Sequence, residues 1–119
     1  MAAKAPGFNV PVSRRFSSPE SFFASACVSS VDAVIIATPD RSHSSIALQS
    51  VRAGLHILLE KPIATSLEEC REICRAARDA GVTVAVCHEL RCHPYYIELK
   101  RIVGSCGKIL SMEHRLDVG

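Results

Sequence analysis

No three of the six glycines stand at G-x-G-x-x-G spacing; they fall at Gly7, Gly54, Gly81, Gly104, Gly107 and Gly119. The chain therefore holds no glycine-rich loop of the kind that sets backbone N–H groups against a pyrophosphate at a helix N-terminus. No apolar run approaches the roughly 18 residues that span a bilayer, so a transmembrane helix and a membrane partner are not expected. Charge of one sign is scarce too. The 14 basic and 12 acidic residues leave a formal net charge of +2, too small and too evenly spread for a nucleic-acid partner. The start shows no basic segment followed by an apolar centre, the pattern of a secretory signal. Internal repeats and low-complexity tracts are missing, and so is any C-x-x-C pair.

The chain has 119 residues, of which 48% are apolar and 22% charged. That suits a globular protein with one modest core. Six cysteines are many for this length. Cys70, Cys74 and Cys87 sit inside regular apolar patterns, where a buried thiol serves as a small hydrophobe. The expectation is a reducing, cytoplasmic compartment. The first 19 residues carry Lys4, Arg14 and Arg15, several serines and no acid, as organellar transit peptides do. Pro6, Gly7, Pro11 and Pro19 would break an amphipathic helix there, so a polar lead-in is the simpler reading.

Apolar periodicity lays out the elements. Val31–Ala37 is short and β-branched, which suits a strand buried on both faces of a parallel sheet. It stops at Thr38-Pro39-Asp40, a turn signal. A helix is expected from about Ser42 to Ala53, with Ile46, Ala47, Val51 and Leu55 inward and Gly54 as its C-terminal stop. His56 to Glu60 reads as a second strand, ending at Lys61-Pro62. Ser66 and Glu69 have capping-box spacing. They open a helix with Cys70, Ile73, Cys74, Ala77 and Ala80 inward and a charged outer face. Val82–Cys87 is a third strand. Pro94 opens a last helix, with Tyr96, Leu99, Ile102 and Val103 inward and Gly104 and Gly107 at its end. From Leu110 to Val118 the apolar residues alternate, as in a strand with one exposed face. A boundary near Cys106 would divide a first domain over 1–105 from the start of a second over 106–119. Strands alternating with helices mean βαβ units, hence an α/β fold with a parallel, Rossmann-like sheet and the first strand of a second α+β domain.

In an open α/β sheet, ligands bind beyond the carboxyl ends of the strands. Three successive strands end in polar clusters: Thr38-Pro39-Asp40, Glu60-Lys61-Pro62 and His88-Glu89-Leu90-Arg91. Parallel connections put all three on one edge, although any one of them could be an ordinary polar turn. Lys61 is the most suggestive residue. Pro62 stiffens its backbone, Glu60 could orient it, and partial desolvation would let its amine exchange protons near neutrality. Cys87-His88 and Cys92-His93, with Cys106 further on, offer zinc-ligand residue types. Cys87 falls inside an apolar strand, however, and no metal is expected. A thiol–imidazole nucleophile built from Cys87 or Cys92 has nothing around it that marks a triad.

Three segments carry a resemblance: ATPDRSH at Ala37–His43, AGLHILLEKPIA at Ala53–Ala64 and HELRCHP at His88–Pro94. In this order and spacing they resemble the glucose–fructose oxidoreductase and inositol dehydrogenase family, the Gfo/Idh/MocA oxidoreductases. Gly104-Ser105-Cys106-Gly107-Lys108-Ile109 resembles that family's passage into its second domain. The resemblance implies NAD or NADP as cofactor and oxidation or reduction of a CH–OH carbon in a sugar, cyclitol or related small molecule. It implies cofactor contacts from Thr38, Pro39, Asp40, His43, Glu60, Lys61 and His88. Lys61 would be catalytic and also touch substrate, as would Arg91 across the cleft. Asp40 stands where members commonly carry asparagine. Val10–Phe16 and Ser18–Ala26 would form the strand and helix before Val31. A homo-oligomer is in keeping with the family.

The chain departs from that pattern. Besides the glycine loop, it lacks room before Val10 for the family's first strand, helix and second strand. It also stops before the downstream aspartate and histidine that members use for proton transfer. The expectation is a fragment of such an oxidoreductase, inactive in isolation. The competing reading is a non-enzymatic remnant of the fold that serves as a binding or assembly module.

Overall fold

The computed structural model describes residues 10–113 and 115. The chain divides after Cys87 into two compact units, 1–87 and 88–119.

The first unit is built around three parallel strands in the order β1-β2-β3: β1 (Ala33–Ile36), β2 (His56–Leu59) and β3 (Val84–Val86). Sheet order follows chain order, and the parallel strands are joined by crossover connections. The crossovers are α2 (His43–Arg52) and α3 (Leu67–Ala80). Register fixes the faces. Val34 pairs with Ile57 and Ile57 with Val84; Ile36 pairs with Leu59 and Leu59 with Val86. These six side chains share one face. It carries the core, in which Ile36, Ile57 and Leu59 meet Ala47 and Val51 of α2 and Ile73 and Ala77 of α3.

The opposite face departs from expectation. Ala33, Ile35, His56, Leu58 and Ala85 are exposed, Ile35 by 75%. Among the described residues one helical layer covers this sheet, so its strands are buried on one face and not on two. An apolar β-branched run is compatible with either arrangement.

Local chemistry sets the helix ends. Ser66 Oγ accepts from the Glu69 amide at 3.2 Å, and Glu69 Oε2 accepts from the Ser66 amide at 3.2 Å. The expected capping box is thus complete and satisfies orphan donors of the first turn of α3. Gly81 ends the helix at φ +69°, a left-handed conformation that glycine adopts without strain. Ser66→Ala is expected to lower stability by about 1 kcal/mol. A urea midpoint unchanged from wild type would mean the cap contributes nothing. On α3, Cys70 is half-buried and Ile73 and Ala77 are buried, but Cys74 and Ala80 are exposed. The inward stripe is narrower than expected, with Cys74 and Ala80 left to solvent. The Glu68 pairs with Arg71 and Arg75 lie in solvent and add little.

Before β1 runs α1 (Pro19–Phe23), capped by Ser18, and then a 3-10 turn over Ala26–Ser30. The expected helix over Ser18–Ala26 is present but short. Phe16 meets Phe22 edge to face and Phe23 meets it at a tilt, with ring centroids 5.5 and 5.2 Å apart. The strand expected over Val10–Phe16 is absent; Val12–Arg14 form a 3-10 turn instead, closed by the Arg14 amide on the Pro11 carbonyl. Pro11 has no N–H to give to a ladder.

In the second unit a 3-10 turn (Glu89–Cys92) precedes α4 (Pro94–Ser105), whose cap is His93, its Nδ1 accepting from the Tyr95 amide at 3.2 Å. Tyr96, Leu99 and Val103 are half-buried, but Ile102 is 45% exposed. Gly104 lies inside the helix, and Gly107 takes φ +72° beyond it. Of the alternating segment Leu110–Val118, residues 110–113 and 115 form no strand, and the others lie outside the described residues. No disulfide joins any of the six cysteines. Among the described residues no helix is long and apolar enough to cross a membrane.

Candidate functional site

Parallel strands deliver their carboxyl ends to one edge, and two of the three polar clusters are assembled there in the first unit. β1 runs out at Ile36 into Thr38-Pro39-Asp40, and β2 runs out one strand away into Glu60-Lys61-Pro62. The Glu60 amide donates to the Ile36 carbonyl at 2.9 Å, which ties the second turn to the end of the first strand. The Cys87 amide donates to the Leu59 carbonyl at 2.8 Å and extends the same ladder past β3.

Thr38 is half-buried, while Pro39 and Asp40 are exposed. Asp40 opens a 3-10 turn over Asp40–Ser42 that feeds α2. Ser42 folds back over it: its Oγ lies 2.9 Å from Thr38 Oγ1 and donates to the Pro39 carbonyl at 2.6 Å. The sequence reading passed over Ser42, although a serine three or four residues after a turn is a recurrent backbone-bonding position.

His43 is fully buried, and both ring nitrogens are engaged. Nδ1 lies 2.7 Å from the Pro62 carbonyl oxygen and Nε2 lies 2.8 Å from that of Thr38. A side chain with no accessible surface and both polar atoms occupied has nothing to offer a ligand. His43 thus meets backbone carbonyls through both ring nitrogens at the first residue of α2.

Glu60 is half-buried and Lys61 exposed, and the Lys61–Pro62 peptide bond is cis. The Glu60 carboxylate accepts from the Lys61 backbone amide at 3.3 Å. Among the described residues no ion pair joins it to the Lys61 amine, so the expected orientation of the amine by Glu60 is not realised. Nor do the described residues supply the burial that was expected to desolvate Lys61. Behind the turn, Ala64 is buried and holds the returning chain against the core. His88 and Arg91 belong to the second unit, where His88 precedes the 3-10 turn and Arg91 lies within it; both are exposed.

The residues at this edge can be tested against a dinucleotide. Asp40, Glu60 and Lys61 offer two carboxylates and an amine around exposed turns, which suits a neutral or polar ring group. A pyrophosphate needs a backbone cradle, and none is present among the described residues. Gly54, Gly81 and Gly107 follow the C-terminal ends of α2, α3 and α4, and a Cβ added at any of them, or at Gly104, would meet nothing within 4 Å. None of these glycines marks a close approach. The fit therefore extends to one end of a dinucleotide and not to its phosphates.

Comparison with known proteins is consistent with this geometry. A family model described as an oxidoreductase family with an NAD-binding Rossmann fold matches residues 2–88. The chain is 48% identical over 61 residues to a 1,5-anhydro-D-fructose reductase of Ensifer adhaerens, covering 51% of this chain and 18% of that protein. It is 42% identical over 76 residues to inositol 2-dehydrogenase 2 of Saccharopolyspora erythraea, covering 63% and 22%. The chain thus spans about a fifth of the length of these curated relatives. Among solved structures it is similar to the WlbA dehydrogenase of Bordetella pertussis in complex with NADH and UDP-GlcNAcA. The TM-score is 0.67 at 31% identity, covering 76% of this chain and 25% of that one. It is also similar to the biliverdin reductase of Synechocystis in complex with biliverdin and NADP+, with TM-score 0.69 and 25% identity, covering 78% and 28%.

Proposed function

The chain belongs to the Gfo/Idh/MocA family of oxidoreductases with an NAD-binding Rossmann fold, and from that premise we propose that it forms the nicotinamide-side half of a dinucleotide layer. The activity is that of an NAD(P)-dependent oxidoreductase acting on a CH–OH carbon of a sugar, cyclitol or related small molecule. The observation that carries this reading is the pairing of Thr38-Pro39-Asp40 with Glu60-Lys61-Pro62 on one sheet edge, locked by the Glu60 amide on the Ile36 carbonyl.

Thr38, Pro39 and Asp40 form one wall of the cofactor cleft, and Glu60 and Lys61 form its floor. The cofactor, when bound, supplies hydride exchange. Lys61 holds the substrate oxygen by hydrogen bonding from its ammonium and moves a proton at that atom. Its backbone is held between the amide-bound Glu60 carboxylate and Pro62. Arg91 is assigned to substrate contact and His88 to cofactor contact. The first domain runs to Ser105 and a substrate-binding domain begins at Cys106. The protein works in the cytoplasm and forms a homo-oligomer.

Relatives named for a reductase of 1,5-anhydro-D-fructose and a dehydrogenase of inositol support the substrate class. The absence of a phosphate cradle among the described residues supports a further statement, that the chain in isolation neither binds NAD(P)H saturably nor turns over. The exposed apolar face at Ile35 and Leu58 favours a second reading, an assembly module without cofactor.

One experiment separates these readings. The chain is fused behind the glycine-loop strand–helix–strand segment of the S. erythraea inositol dehydrogenase, and NADH fluorescence is titrated for fusion and chain alike. Saturable binding by the fusion alone is expected. Binding by the chain alone would remove the argument from the missing cradle. A folded fusion that binds no NADH would favour the assembly module.

A further inference from the structure

We infer that Arg91 and Lys100 form an anion subsite within the second unit, and that the molecule held there is an anionic sugar derivative, a sugar acid or a sugar phosphate, and not a neutral sugar. This deepens the reading given above and rests on it where Arg91 is assigned to substrate. The cavity itself does not depend on that assignment.

The cavity lies in the corner between the 3-10 turn Glu89–Cys92 and α4. It measures about 560 Å³ and is lined by Leu90, Arg91, Tyr96, Ile97 and Lys100, a size within the roughly 300–1,000 Å³ of small-molecule sites. Local structure fixes the corner. The Arg91 amide donates to the His88 carbonyl at 3.0 Å, and the His93 amide donates to the Leu90 carbonyl at 3.2 Å. Pro94 and the His93 cap then start α4. Lys100 follows Tyr96 by four residues and Ile97 by three, so the three are neighbours on one face of the helix.

Both cations are exposed, and among the described residues neither makes an ion pair. Glu98, the one acid of α4, holds Arg101 with both carboxylate oxygens, at 2.9 and 2.6 Å. Glu89 stands in the same turn as Arg91 but does not line the cavity. Two positive charges thus border one space with no carboxylate of the described residues beside them, and an anion between them relieves their repulsion. The guanidinium fork takes a carboxylate or a phosphate through paired N–H donors, and the lysine adds a point charge.

The rest of the lining is apolar. Leu90 is 45% and Ile97 55% exposed. The Tyr96 ring is held edge to face against His93 and Tyr95, with centroids 6.1 and 5.2 Å away. Such a wall covers the C–H side of a sugar ring while the cations take its charged substituent, the usual combination of apolar lining and few polar anchors in a ligand pocket. A bare inorganic anion would meet the cations and leave the wall in water.

The test is a titration of the full 15N-labelled chain, without cofactor, followed by nuclear magnetic resonance. The probes are D-glucuronate, D-glucose 6-phosphate, D-glucose and inorganic phosphate. Saturable shifts of the amides at residues 90–91 and 96–100 are expected with at least one of the two anionic sugars, and the one that binds names the anionic group. Glucose and inorganic phosphate should each bind at least about tenfold more weakly. Lys100→Gln and Arg91→Gln should each weaken the anionic sugar about tenfold, the usual effect of losing a hydrogen bond to a charged group, and leave the amides of α3 in place. Binding of glucose as tight as that of the anionic sugars would overturn the inference, and so would inorganic phosphate binding as tightly, which would reduce the site to a basic patch. No binding of either anionic sugar, or binding that survives both substitutions, would overturn it as well. A fusion that binds no NADH would sink the oxidoreductase reading and leave these shifts intact, so the two failures are distinguishable.

Discussion

Lys61→Ala is expected to lower turnover about 10²- to 10⁴-fold, the usual contribution of a positioned proton-transfer group. The assay uses a chimera in which residues 10–87 replace the matching layer of the S. erythraea inositol dehydrogenase, so that glycine loop and substrate domain are both present. NADH affinity should change little, because the proposed place of Lys61 is at the ring end of the cofactor and not at its phosphates. A fall in kcat with little change in the NADH Kd places the loss in the chemical step. Turnover near that of the unmutated chimera would remove Lys61 from the mechanism. Equal losses in NADH affinity and turnover would make it a binding residue. Lys61→Arg keeps the charge but replaces a compact ammonium with a wide fork that does not give up its proton, so it should fail to rescue.

Leu59→Ala is expected to cost about 2–5 kcal/mol, the range for a buried leucine whose cavity cannot collapse. Leu59 lies in the central strand, is fully buried, and packs in the cluster that joins Ile36, Ala47 and Ile73. Domains of this size are stable by only about 5–15 kcal/mol, so the variant should lose a large fraction of its stability. Ile35→Ala supplies the contrast. It lies in the neighbouring strand at the level of Leu58, is 75% exposed, and should cost no more than about 0.5 kcal/mol. Urea midpoints of the two variants measure the difference between the faces of the sheet. Equal losses would mean that Ile35 is covered in solution and that the face described as open is not.

The sequence carried most of the scaffold, because its signals are local. The β-branched run before Thr38, the alanine and valine spacing before Gly54 and the Ser66–Glu69 pair each report on a few neighbouring residues, and all three elements lie within two or three residues of where they were expected. The edge holding Thr38-Pro39-Asp40 and Glu60-Lys61-Pro62 was legible for the same reason, once parallel connections were assumed. Other features depend on what lies across space. Whether Ile35 and Leu58 are buried depends on a second layer, which an apolar run does not announce. Cys74 has the right period for the core but is exposed. The 3-10 turn at Val12–Arg14 replaces a strand because no neighbour offers a ladder. The bonding of His43 depends on two carbonyls placed by distant turns, which the local sequence does not announce.

Sheet order has a consequence for how the chain is made. β1, β2 and β3 are neighbours in the same order in which they are synthesised. Each new strand therefore docks on one that has already left the ribosome, and none has to be threaded between two that are already paired. The loops to be closed are those of single βαβ crossovers, whose entropic cost grows only slowly with length. Assembly can then proceed one strand–helix unit at a time, with short-lived exposure of each new edge. Parallel sheets that interleave early and late strands must wait longer with unpaired edges, and such waiting is when aggregation competes.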